Sequence, residues 1–234
     1  MTGMLTAPYQ EFARNTLGFE FENIDLLITA FTHRSYVNEH RKSVSEHNER
    51  LEFLGDAVLE LVVTDFLFRN YTEQEGILTS WRASLVRTES IGAAGQLLNY
   101  ESLMRMSRGE KQGGERARLQ ILANAFEALI GAIYLERGYD DAAAFIQKNI
   151  SSKLENIINE GSWRDPKSHL QEVMQRKDGV TPRYIVLEEV GPDHDKIFTL
   201  GVYSGDRMVA QGSGPSKQAA QQDAAKAALS HYTE

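Results

Sequence analysis

The chain has 234 residues, 41% of them hydrophobic, which supports a packed core, fits two domains and excludes a wholly disordered polymer. It has no cysteine, so disulfides, zinc–cysteine sites and thiol catalysis are excluded. Its net charge of −8 weighs against a polyanionic partner, but residues 1–163 hold 16 Lys+Arg and 23 Asp+Glu while residues 164–234 hold 9 and 10, balances of −7 and −1. Acid concentrated in the first part fits carboxylates that await divalent cations, and fits an ordinary acidic surface equally well. No run of about 18 apolar residues is present, so no membrane span is expected. The opening Met1 to Gln10 lacks the basic-then-apolar layout of an export signal, and a cytoplasmic location is expected.

The pattern is helical almost throughout residues 1–158. Asn48 to Phe68 carries Leu51, Phe53, Leu54, Val58, Leu59, Leu61 and Val62, a density that suits a helix buried on most of its surface. Leu119 to Arg137 is a second such run, with Gly138 as its C-cap. Asp140 opens a further helix to about Ile158. The polar residues 159–163 read as a linker. Beyond it, His169 to Lys177 reads as a helix. Arg183 to Val190, Ile197 to Tyr203 and Met208 to Gly212 read as strands, and Gln218 to Leu229 as an Ala-rich helix. The expected order in residues 164–234 is α-β-β-β-α.

Glu49, Glu52 and Asp56 stand at i, i+3 and i+7 and share one helix face. Three stacked acids repel one another, and a hard cation that prefers carboxylate oxygens would relieve them. A solvated acidic stripe gives the same spacing. Asn124 and Glu127 stand i, i+3 on the other apolar helix among Ala, Leu, Ile and Phe, where a lone Glu needs a partner, a metal or water. Two helices that each offer oxygen ligands could build one or two adjacent octahedral sites.

Asn48-Glu49-Arg50-Leu51-Glu52-Phe53-Leu54-Gly55-Asp56-Ala57-Val58-Leu59 resembles the signature of the ribonuclease III family. Phe31-Thr32-His33-Arg34-Ser35-Tyr36-Val37-Asn38-Glu39, Glu75-Gly76, Ser107-Arg108-Gly109-Glu110 and Phe126 to Tyr134 resemble its other motifs, in order and over nearly the whole chain. The resemblance implies a homodimeric, all-α endonuclease domain over 1–158 that cuts both strands of an RNA duplex. By match of motif, Asp56 and Glu127 are catalytic. Glu52, Asn124 and Glu127 hold Mg2+, with Mn2+ as an alternative. Glu49 and Glu75 are accessory acids. Phe53 is a dimer contact, although from sequence alone it reads equally well as a core aromatic. His33 has no catalytic partner at an interpretable spacing and is expected to be structural. The family pattern has Asp where this chain has Asn124, which removes one charge from the site.

Residues 164–234, with Gly191-Pro192-Asp193-His194 between the first two strands, resemble a small α+β double-stranded RNA-binding domain. Such domains read A-form shape over roughly 16 base pairs. By motif, Ser168, Gln171, Glu172 and Gln175 touch one minor groove, His194 reaches the next, and Ser216 and Lys217 meet phosphate at a helix start. The family has two or three lysines there, whereas this chain has Lys217 and then Gln218. The expected reaction is Mg2+-dependent hydrolysis that leaves 5′-phosphate and 3′-hydroxyl ends on ribosomal and messenger RNA precursors. No membrane or organic cofactor is expected. The rival reading is a duplex-RNA-binding protein whose cleavage is weakened or lost through Asn124.

Overall fold

The computed structural model describes residues 3–192 and 196–232, with side chains from Thr6 onward. It divides into two compact units, Met1–Glu160 and Gly161–Glu234. The first is helical. In chain order its α-helices are α1 (Gly3–Phe12), α2 (Ile24–Ala30), α3 (Arg34–Glu39), α4 (Glu49–Asn70), α5 (Glu75–Val86), α6 (Thr88–Leu97), α7 (Arg108–Lys111), α8 (Glu115–Arg137), α9 (Tyr139–Asn149) and α10 (Leu154–Asn159). The single helix expected from Asp140 to Ile158 is therefore two. A 3-10 turn at Ser151–Lys153 separates them after the buried, β-branched Ile150.

Two long helices organise this unit. α4 buries Leu51, Val58, Leu59, Val62, Val63 and Leu67, and α8 buries an unbroken apolar run from Ala128 to Ile133. Among the described residues, α8 is the one helix long and apolar enough to cross a membrane, by length and composition alone. Here its apolar surface is the core of the fold. The helices meet at glycines: a Cβ built on Gly55 of α4 would lie 1.8 Å from the Glu127 carbonyl oxygen, and one on Gly131 of α8 would lie 2.3 Å from that of Leu51. Only hydrogen side chains permit backbone to touch backbone this closely. Behind α8, the buried Tyr100 donates its hydroxyl to the Leu122 carbonyl at 2.7 Å, and its ring lies 4.8 Å from that of Phe31.

In the second unit, α11 (Pro166–Lys177) precedes β1 (Arg183–Val190), β2 (Ile197–Ser204), β3 (Arg207–Gly214) and α12 (Lys217–Leu229). α11 starts three residues before the expected His169. Asp165 caps it by accepting from the Ser168 N–H, and Pro166 sits at its first turn, where a missing N–H costs nothing. The sheet is antiparallel in the order β1-β2-β3, with Ile185 opposite Gly201 and Val202 opposite Ala210. Leu170 and Met174 of α11, Val202 of β2 and Ala224, Ala225 and Ala228 of α12 form its core. The small alanines and Gly212, whose Cβ would lie 2.1 Å from the Ala224 nitrogen, let α12 lie flat on β3.

Candidate active site and nucleic-acid face

The contact at Gly55 decides where the acids stand. Glu52 and Asp56 flank that glycine on α4, and its partner is the backbone of Glu127 itself on α8. The crossing thus brings Glu52, Asp56, Asn124 and Glu127 near one another. Their coupling shows in their ionisation. Burial, then the Asp56 and Glu52 carboxylates, pushes Glu127 up to about 8. Burial and the Glu49 carboxylate raise Glu52, opposed by a hydrogen bond from Asn124, with Asp56 adding to the rise.

The Asn124 amide is oriented. Gln120 donates to its Oδ1 at 2.7 Å, and the amide lies near enough to the Glu52 carboxyl to oppose its rise. Among the described residues, no three Asp, Glu, His or Cys side chains already close around a single point. The four side chains are neighbours without yet forming a closed coordination shell. Neither Glu127 nor Glu52 draws its ionisation shift from a neighbouring cation. Crowded, partly dry carboxylates without such a partner are the donor set a hard divalent cation relieves.

Glu49 stands apart. Its Oε1 lies 3.6 Å from Arg34 and its Oε2 lies 3.8 Å from His47. Glu75 is exposed at the start of α5 and accepts from Thr79 at 3.1 Å. His33 caps α3: its Nδ1 accepts from the Ser35 N–H and lies 2.8 Å from the Ser35 hydroxyl. That is a structural task. Phe53 is 82% exposed, which rules out the core reading. It borders a groove of about 900 Å³ lined by Leu26, His47, Leu51, Leu54 and the half-exposed Leu135.

In the second unit, Ser168, Gln171, Glu172 and Gln175 are exposed on one face of α11 and line a common shallow depression. Ser216 caps α12 by accepting from the Ala219 N–H at 3.1 Å. Lys217 is engaged: its ammonium lies 2.9 Å from Glu189 and 5.4 Å from the centre of the Phe198 ring. His194 lies outside the described residues.

Sequence reasoning passed over Gly55 and Gly131 as packing positions, and Gln120 as the neighbour of Asn124. Glycine in the middle of an apolar helix was the available signal for the first two. The i, i+4 spacing was the signal for the third.

Comparison with known proteins agrees with this layout. Residues 23–154 match the family described as Ribonuclease-III-like, and residues 166–232 match the double-stranded RNA binding motif. The Ribonuclease 3 of Carboxydothermus hydrogenoformans is 45% identical over 214 residues, 91% of this chain and 91% of the relative. That of Listeria innocua serovar 6a is 41% identical over 227 residues, 95% and 97% of the two chains. The solved nuclease domain of ribonuclease III from Campylobacter jejuni, described in terms of a region involved in dimer formation, is 41% identical with a TM-score of 0.53, covering 59% of this chain and 96% of that one. A helical nuclease unit followed by an RNA-binding unit, matched at this identity over nine-tenths of its length, makes the chain a ribonuclease of the bacterial ribonuclease III family.

Proposed function

We propose that the protein is an endoribonuclease that cleaves double-stranded RNA by Mg2+-dependent phosphodiester hydrolysis, leaving 5′-phosphate and 3′-hydroxyl ends. The observation that carries this reading is the meeting of Glu52, Asp56 and Glu127 across the α4–α8 crossing, with Glu127 desolvated among acids. Glu52, Glu127 and, after an amide turn, Asn124 would hold the cation, with Asp56 beside them. When bound, a hard divalent ion such as magnesium or manganese supplies charge at the attacking and leaving oxygens of the scissile phosphate. The protein residues hold and orient. The glycine contact fixes the spacing of the two acid-bearing helices, and burial of Glu127 excludes water from one side. The Asn124 amide opposes the rise of the Glu52 carboxyl, and Glu49 and Glu75 would serve as outer acids.

The second unit would hold the duplex through Ser168, Gln171, Glu172 and Gln175 in a minor groove, His194 in the next, and Ser216 with Lys217 at phosphate. Two copies would pair through Phe53 and its neighbouring groove, so that each strand meets one cleft. Precursors of ribosomal and messenger RNA in the cytoplasm are the proposed substrates. Incubation of a long RNA duplex with Mg2+ and then Ca2+, with the product ends identified, tests the proposal. Cutting under Mg2+ to 5′-phosphate ends is expected. Tight binding without cutting would favour the rival, a binding protein, which the engaged Oδ1 of Asn124 keeps open.

A further inference from the structure

We propose that Lys167 contacts RNA phosphate, delivering from α11 the positive charge that α12 lacks one turn beyond Lys217. The inference rests on the reading of the second unit as a duplex-RNA binder. α12 opens Lys217-Gln218-Ala219-Ala220-Gln221-Gln222, with one cation in six residues. Position 221 follows 217 by four and shares its face. The side chain there is neutral, yet a cation occupies the place: Lys167 Nζ donates to Gln221 Oε1 at 2.6 Å. The ammonium also lies 5.3 Å from the centre of the Tyr184 ring, and the side chain is partly buried there.

Its position on α11 points the same way. At about 100° per residue, Lys167 stands about 40° around the helix from Gln171. It therefore begins the exposed arc of Ser168, Gln171, Glu172 and Gln175 on the side toward α12. A duplex that lies on that arc and on the α12 start passes over Lys167.

The charge is also available. Lys217 is bridged to Glu189 at 2.9 Å, and that bridge must open before Lys217 reaches phosphate. Gln221 neutralises nothing, and an ammonium has two further N–H donors. The Asp165 carboxylate, at the N-cap of α11, feels the Lys167 charge, but its hydrogen bonds go to the Ser168 N–H and hydroxyl and to Gln222 and none to Lys167.

The competing account makes Lys167 a tie between α11 and α12 and nothing more. Salt dependence separates the two, because each phosphate neutralised adds about 0.9 to the slope of log affinity against log salt. The full chain is titrated with a 20-base-pair RNA duplex (about two helical turns) in chelator, which prevents cutting, across KCl concentrations. Lys167→Gln should lower the slope by about 0.9, so that its deficit in affinity shrinks on the order of threefold over a fourfold rise in salt. Lys167→Arg should keep the slope. Gln221→Glu leaves Lys167 in place but pins its charge, and should lower the slope as Lys167→Gln does. A slope unchanged in both Lys167→Gln and Gln221→Glu, with thermal stability reduced in the first, overturns the proposal in favour of the tie. Failure of the unaltered chain to bind duplex overturns the reading of the whole unit and the proposal with it.

Discussion

Gly55 and Glu127 are in backbone contact: the glycine has room for no side chain, because a Cβ would lie 1.8 Å from the Glu127 carbonyl oxygen. The residue between two acids on one helix thus seats the helix that carries the third. Gly55→Ala should push α4 and α8 apart. Overpacking of this kind costs typically 1–3 kcal/mol, and contact with rigid backbone places it near about 3 kcal/mol. Thermal unfolding should show the loss, and cleavage should fall further than stability explains. A variant with unaltered melting temperature and activity would show that the helices can part freely.

Glu127→Gln should abolish cutting and leave duplex binding nearly intact, since Glu127 stands on the first unit and the arc proposed to contact RNA on the second. Equal losses of binding and cutting, measured on one RNA duplex, would reassign Glu127 to substrate binding.

The same substitution has a signature without metal. The Glu127 carboxyl is pushed up to about 8 when folded, against 4.5 for a free side chain. Between these values the folded protein keeps a proton that the unfolded chain has lost, so stability is greatest below 4.5 and falls as pH rises toward 8. Glu127→Gln removes this decline. In chelator, its melting temperature should exceed that of the unaltered protein at pH 8, and the difference should vanish near pH 4. Parallel melting curves across that range would contradict the crowded-acid description.

Asn124→Asp should lower the Mg2+ concentration needed for half-maximal cleavage, on the order of tenfold, by adding a carboxylate beside the ion in a partly dry cleft. It also replaces the amide that opposes the rise of Glu52 with a like charge, so the metal-free variant should melt lower. A magnesium titration of both forms checks this. An unchanged or raised requirement would show that the amide matters for position.

Phe53→Ala should weaken self-association while the subunit stays folded, because an 82% exposed ring contributes little to its own core. Sedimentation across a concentration series reads the difference. Identical dissociation curves would remove Phe53 from the interface.

Much of this was legible in the chain because helical periodicity carries it. The apolar faces of α4 and α8 follow from 3.6-residue spacing, and so does the shared face of Glu49, Glu52 and Asp56. What was not legible depends on contacts distant in sequence. The salt bridge from Lys217 to Glu189 needs the placement of α12 against β1, which no local pattern encodes. The capture of Glu49 by Arg34 and His47 needs α3 and the loop before α4 to converge. The start of α11 lay closer to hand, since Asp165-Pro166 is a cap followed by proline at the first helical position. The break at Ile150 had a weaker signal, because the apolar pattern continues through it.

The glycine seam between α4 and α8 acts as a mechanical stop. Where backbone abuts backbone, the gap between helices is set by atomic radii, and no exchange of side chains at the cleft can narrow it. Charge and width are then independent variables. An acid can become an amide at position 124, or the reverse, with the opposing acids left where they were. Ion affinity can thus be retuned one substitution at a time, with no need to repack the fold around each change.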